Sequence, residues 1–140
     1  MVCWEAYHPR RKVPQNAKPS ATPLICIVDD DASIADSTRY LVGAFGFRAE
    51  AYSSAQEFLS SSLVEETRCL ILDVRMPGMD GLELQRYLAN ADKRIPIVFI
   101  SAHVSDNERR QAMAGGAVDL LLKPFSEDAL FAAIQAALNR

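Results

Sequence analysis

At 140 residues, with 49% hydrophobic and 24% charged, the chain has the size and balance of one globular domain, which excludes a wholly disordered chain, a collagen-like repeat and a coiled coil. Its longest uninterrupted apolar runs are five or six residues, too short for a membrane span or for the apolar core of a signal peptide, so no membrane partner is expected and the cytoplasm is the expected compartment. The formal net charge is −3, yet Arg10, Arg11, Lys12 and Lys18 stand against Glu5 alone within residues 1–22, so the rest of the chain is more acidic than the total and is a poor direct ligand for nucleic acid.

Residues 1–22 also contain Pro9, Pro14 and Pro19 and show no apolar periodicity. Such a segment cannot offset its ordering entropy by burial, so 1–22 is read as a flexible basic leader and 23–140 as the folded domain. Cys3, Cys26 and Cys69 show no C-x-x-C spacing, and the last two lie inside apolar runs. Cys26 and Cys69 are therefore read as small core residues.

From Leu24 onward, short β-type runs alternate with helical patterns five times. Leu24 to Val28 is the first strand. Ile34, Thr38, Leu41, Val42 and Phe45 share one face of the helix that follows, and Gly46 suits its left-handed cap. Phe47, Ala49 and Ala51 alternate as a second strand, after which Ser54 and Glu57 have the S-x-x-E spacing of a capping box. Cys69 to Leu72 is the third strand, and Leu84, Tyr87, Leu88 and Ala91 mark the helix after it. Ile97 to Ile100 is the fourth, behind Pro96. Ser105 and Glu108 cap a short helix closed by Gly115 and Gly116. Val118 to Leu122 is the fifth strand, and Leu130, Phe131, Ile134 and Leu138 give the last helix its buried stripe.

Strands apolar on both faces and alternating with helices imply an α/β fold with a parallel sheet covered on both sides. Right-handed crossovers and five strands favour the flavodoxin-like doubly wound order 2-1-3-4-5, with five helices. Ligands in such sheets sit outside the carboxyl ends of the strands, where the winding reverses between strands 1 and 3.

The residues at those ends carry chemistry. Asp29, Asp30 and Asp31 follow the first strand, Asp73 the third, Ser101 the fourth and Lys123 the fifth. With strands 1 and 3 adjacent, Asp29, Asp30 and Asp73 converge, and like charges so close cannot all stay ionised without a cation. Carboxylates without clustered imidazole or thiolate favour a hard ion, Mg²⁺ or Mn²⁺. A carboxylate beside a metal, an ammonium and a hydroxyl suits phosphoryl transfer, with Asp73, alone at its strand end, as the nucleophile.

These residues, in the ordered set VDDD (Val28 to Asp31), LILDVRMPGMDG (Leu70 to Gly81), FISA (Phe99 to Ala102) and LLKPF (Leu121 to Phe125), resemble a receiver domain of a two-component response regulator. The likeness runs from about Leu24 to Leu138, and the style of RMPGMDG and GAVDLLLKPF is similar to receivers of nitrogen-fixation-type transcriptional regulators. The resemblance implies that Asp73 accepts a phosphoryl group from a sensor histidine kinase or a phosphotransfer protein. It implies that Asp29, Asp30, Asp73 and the backbone carbonyl of Arg75 arrange Mg²⁺, and that Ser101, the backbone of Ala102 and Lys123 bind the phosphoryl oxygens. It further implies a cis Lys123-Pro124 peptide, while the run Pro77, Gly78, Met79, Asp80 and Gly81 itself fits a tight loop over the site, its glycines allowing positive φ.

One position departs from the family. Receivers usually carry Tyr or Phe three residues before the lysine, as a ring that turns inward when the hydroxyl moves onto the phosphoryl group. Here that switch position is Leu120, so either leucine repacks in the same role or output leaves by another face. Arg75 and His103, each two residues beyond a site residue, are candidates for tuning the lifetime of the acyl phosphate. The chain ends at Arg140, soon after the last helical pattern, so the expectation is a stand-alone receiver contacting a downstream protein target, with a fragment of a longer regulator as the alternative. A homodimer through the last two helices on phosphorylation is also expected.

Three competing readings make different demands. A slow Mg-dependent aspartyl-nucleophile phosphatase generally needs a second Asp two residues after the nucleophile, where Arg75 stands. A flavin carrier of the same topology needs a Ser/Thr/Gly-rich phosphate loop where three aspartates stand. A degenerate receiver used only for docking fits poorly with an intact set of site residues. Non-enzymatic signalling is the reading adopted.

Overall fold

The first strand, β1 (Leu24–Val28), is buried at all five positions and forms the middle of one half of the sheet. The computed structural model describes residues 22–140, so the leader read over 1–22 lies, Thr22 apart, outside the described residues. In chain order follow α1 (Ala32–Ala44), β2 (Arg48–Tyr52), α2 (Ala55–Ser60), a 3₁₀ turn (Val64–Glu66), β3 (Thr67–Asp73), α3 (Gly81–Asn90), β4 (Ile97–Ser101), α4 (Asp106–Ala114), β5 (Asp119–Leu122) and α5 (Glu127–Leu138). All pairings are parallel and the order is β2-β1-β3-β4-β5, as the alternation of elements predicts.

Strand periodicity divides the core into two layers. Leu24, Cys26, Leu70, Leu72, Ile97 and Phe99 point to the side covered by α2, α3 and α4, where they meet Phe58, Leu84, Leu88 and Ala112. Ile25, Ile27, Cys69, Ile71, Val98 and Ile100 point to the other side, against Val42 of α1 and Leu130 and Ile134 of α5. Each fully buried Leu, Ile or Phe contributes about 1.5–3 kcal/mol, whereas an exposed ion pair contributes at most about 1 kcal/mol. The central strands, rather than surface pairs, therefore fix where β1, β3 and β4 end. Cys26 and Cys69 lie in this core, free and buried, and burial pushes the Cys69 thiol up to about 12.

Several local expectations need correcting. At Ser54 the capping box is only half made: its side chain accepts from the Glu57 N–H, but the Glu57 carboxylate turns to Ser53, taking its N–H at 2.6 Å and its hydroxyl at 2.9 Å. In α3 Leu82, Leu84, Gln85 and Leu88 are buried, Tyr87 is 48% exposed, and Ala91 is the C-cap outside the helix; in α5 the buried stripe is Leu130, Ala133, Ile134 and Ala137, with Phe131 exposed. Sequence reasoning missed the buried Gln85, whose amide donates to the Ala112 carbonyl at 2.9 Å and thereby ties α3 to α4. Edge position makes β2 only half-buried and leaves Leu122 of β5 49% exposed, so neither strand is apolar on both faces. No helix among the described residues is long and apolar enough to cross a membrane.

Candidate functional site

Backbone bonds beyond the strand ends set the positions of the site residues. The Asp29 N–H donates to the Tyr52 carbonyl at 3.1 Å, Val74 to Ile100 at 3.0 Å and Lys123 to Ser101 at 2.8 Å. These bonds continue the ladder past β1, β3 and β5 and hold Asp29, Asp73, Ser101 and Lys123 at one edge of the sheet. Asp31 does not join them. Its carboxylate caps α1, accepting from Ser33 N at 3.0 Å and Ile34 N at 3.2 Å.

Asp29, Asp30 and Asp73 each offer a carboxylate oxygen within 4.8 Å of the others. Asp29 is fully buried, Asp73 nearly so, and Asp30 exposed. The Lys123 ammonium donates to Asp29 Oδ2 at 2.9 Å and to Asp73 Oδ2 at 3.4 Å. Asp29 Oδ1 accepts the Asp31 N–H at 2.9 Å, and Asp73 Oδ1 accepts the Arg75 N–H at 3.3 Å. One ammonium thus faces three carboxylates, leaving an excess of negative charge in a partly dry pocket. Burial, reinforced by the Asp29 charge and opposed by Lys123, pushes the Asp73 carboxyl up to about 6. Burial alone would pull Lys123 down, but its bonds to Asp29 and Asp73 prevail and raise it. The donors are all hard oxygens and their charge is undercompensated, so the cluster fits a hard divalent cation such as Mg²⁺ or Mn²⁺.

The Asp73 shift sets a pH dependence of stability. Its folded value of about 6 lies above the ordinary 3.8, so between these values the native state binds more protons than the unfolded chain, and stability falls as pH rises. In chelator, thermal melts of the native protein compared with Asp73→Asn are expected to show the variant gaining relative stability from about pH 4 to about pH 6.5 and holding that gain above. A difference that is flat with pH would remove the electrostatic conflict at Asp73.

The other residues at this edge are placed as follows. The Ser101 hydroxyl donates to the His103 carbonyl at 2.6 Å and accepts the His103 N–H at 3.3 Å, so it is turned into its own loop. Ala102 is exposed beside it. His103 takes part through its main chain, and its carbonyl also accepts Arg75 Nε at 3.2 Å. The Arg75 guanidinium, instead of hanging free, reaches Glu108 Oε1 at 2.6 Å. Leu120, opposite Phe99 in the β4–β5 register, is buried in the core layer that includes Ala112 and against which Val104 packs. The Lys123-Pro124 peptide is cis.

The two glycines of the β3–α3 loop do different jobs. Gly78 has φ +75°, the left-handed region expected of it. Gly81, the first residue of α3, shows no such φ; a Cβ there would lie 2.3 Å from the Asp73 carbonyl oxygen. It is needed for close approach, and its N–H donates to the Val74 carbonyl at 2.9 Å. Gly81→Ala is expected to cost about 1–3 kcal/mol in chemical denaturation through overpacking against backbone; a neutral substitution would mean that α3 can shift freely.

Fold and site together define a class: a doubly wound sheet whose switch point carries an acidic cluster bordered by a lysine and a hydroxyl. The family model described as "Response regulator receiver domain" matches residues 25–135, and the chain belongs to that family, the receiver module of two-component systems. It is 41% identical over 121 residues to Nodulation protein W of Bradyrhizobium diazoefficiens, covering 86% of this chain and 53% of that protein. It is 37% identical over 116 residues to the Transcriptional regulatory protein FixJ of the same organism, covering 83% and 57%. Among solved structures, response regulator StyR superposes with a TM-score of 0.78 at 43% identity, over 85% of this chain and 60% of that one. The chain spans about half the length of the curated relatives it matches. The likeness to FixJ accords with the nitrogen-fixation-type character read from the sequence.

Proposed function

We propose that this receiver takes up a phosphoryl group on Asp73 from a phosphohistidine of a sensor histidine kinase or phosphotransfer protein, in a reaction that depends on Mg²⁺. The observation that carries the reading is the convergence of Asp29, Asp30 and Asp73 within 4.8 Å, with the Lys123 ammonium bonded to two of them. An Asp73 carboxylate oxygen forms the new bond to phosphorus as the nitrogen–phosphorus bond breaks, and the departing imidazole nitrogen takes up a proton. Lys123, released from part of its bonding to Asp73, holds a phosphoryl oxygen. Ser101 supplies the hydroxyl and Ala102 its backbone N–H to the remaining oxygens. Asp29, Asp30, Asp73 and the Arg75 carbonyl would hold Mg²⁺, which when bound neutralises charge gathering on the transferring group.

The aspartyl phosphatase reading gains no support, since Arg75 stands where its acid–base Asp is needed and its guanidinium is committed to Glu108 and the His103 carbonyl. The acidic folded part makes protein surfaces, rather than nucleic acid, the direct contacts of this domain. A downstream protein target and a homodimer formed on phosphorylation complete the reading, with Leu120 repacking as the switch position. Incubation with acetyl phosphate and Mg²⁺ is expected to add one phosphoryl mass, labile to hydroxylamine, and then to stop. Continuous release of phosphate from many small esters would favour the phosphatase instead.

A further inference from the structure

Between Asp73 and the first turn of α4 runs an unbroken set of bonds that the chemistry at Asp73 does not require. Arg75 N–H donates to Asp73 Oδ1, while its side chain crosses to the β4–α4 loop, with Nε on the His103 carbonyl at 3.2 Å and Nη2 on Glu108 Oε1 at 2.6 Å. Glu108 is also the closing residue of the α4 capping box. Its Oε1 accepts the Ser105 N–H at 2.9 Å, and its own N–H donates to Ser105 Oγ at 3.1 Å. One carboxylate oxygen thus receives both the N-cap of α4 and a guanidinium from the loop of the phosphoacceptor. The same arginine pins the carbonyl that occupies the Ser101 hydroxyl.

We propose that Arg75 and Glu108 form a latch that keeps the β4–α4 loop where Ser101 is turned onto His103, and that opening it couples occupancy of Asp73 to the start of α4. This inference rests on the phosphoacceptor reading above. A serine hydroxyl has one proton. When Ser101 gives it to a phosphoryl oxygen, a charged and stronger acceptor than a carbonyl, the His103 carbonyl loses a donor and only Arg75 still pins it. Arg75 is a positioning residue here: its side chain resists the rearrangement that the hydroxyl must make. Any ligand that selects the rearranged loop binds more tightly when the latch is absent.

The test uses the full chain, Mg²⁺ and beryllium trifluoride as phosphoryl mimic, with Glu108→Gln, Arg75→Ala and the double variant. Gln keeps the capping box, so Glu108→Gln retains α4, and Arg75→Ala keeps its backbone carbonyl. Both single variants are expected to bind the mimic about two- to fivefold more tightly, the scale of an exposed ion pair, while lowering thermal stability slightly. The double variant is expected to gain no more than either single. The two substitutions change net charge in opposite directions, so simple attraction of an anion would tighten Glu108→Gln and weaken Arg75→Ala; that pattern overturns the latch. Unchanged or weaker binding in both, while the native protein still takes up one phosphoryl mass, overturns the latch and leaves the phosphoacceptor reading intact. Failure of the native protein to be phosphorylated overturns both.

Discussion

Asp73→Asn is expected to take up no phosphoryl group from acetyl phosphate in Mg²⁺, under conditions where the native protein gains one. The substitution keeps the volume of the side chain and removes its charge and the carboxylate oxygen that must bond phosphorus. Neither neighbouring acid replaces it. Asp29 is fully buried and bonded to both Lys123 and the Asp31 N–H, and Asp30 is exposed at the mouth of the cluster. Mass spectrometry of the intact protein checks the result. Hydroxylamine-labile mass persisting in the variant would move the acceptor to another residue and end the assignment.

Mg²⁺ affinity in Asp30→Ala is expected to fall by about tenfold or more, read by calorimetry on the unphosphorylated protein, because affinity for a hard cation follows the number of anionic oxygens in its shell. Asp30 is the informative position because it is the exposed member of the three. Its removal leaves no buried charge unpaired, so a weaker ion reports the site and not a damaged fold. The same change at Asp29 would free Lys123 from its shorter ion pair, at 2.9 Å, and mix folding with binding. Unchanged affinity in Asp30→Ala would place the ion elsewhere.

The two predictions rest on different kinds of evidence. Asp73 is legible as the candidate acceptor because it stands alone after an apolar run, and its meeting with Asp29 and Asp30 is legible because strands 1 and 3 are neighbours in the expected order. Arg75 was singled out only by its distance in sequence from Asp73. That its guanidinium lies on Glu108, 33 residues away, had no sequence signal beyond the S-x-x-E spacing at Ser105, which explains the cap and not the second bond. Gly81 was expected to supply a positive φ, whereas the contact that demands it is the Asp73 carbonyl oxygen. Gln85 carries no sequence signal of burial; α4 covers it, and its amide donates to the Ala112 carbonyl.

The sequence alone determined the five alternations, the order of the sheet, the core strands and the acids that meet at their ends. The alternations, the core strands and the acids follow from periodicity and from residue type at strand termini, both local, and the order of the sheet from the right-handedness of its crossovers. Tertiary structure alone decided that β2 and β5 are edges with exposed positions, that the Glu57 carboxylate turns to Ser53, that Ser101 faces His103, and that Arg75 bridges to α4. Each of these depends on which surfaces two distant segments share, and a side chain's choice among competing partners is settled only when packing brings one of them within hydrogen-bonding reach.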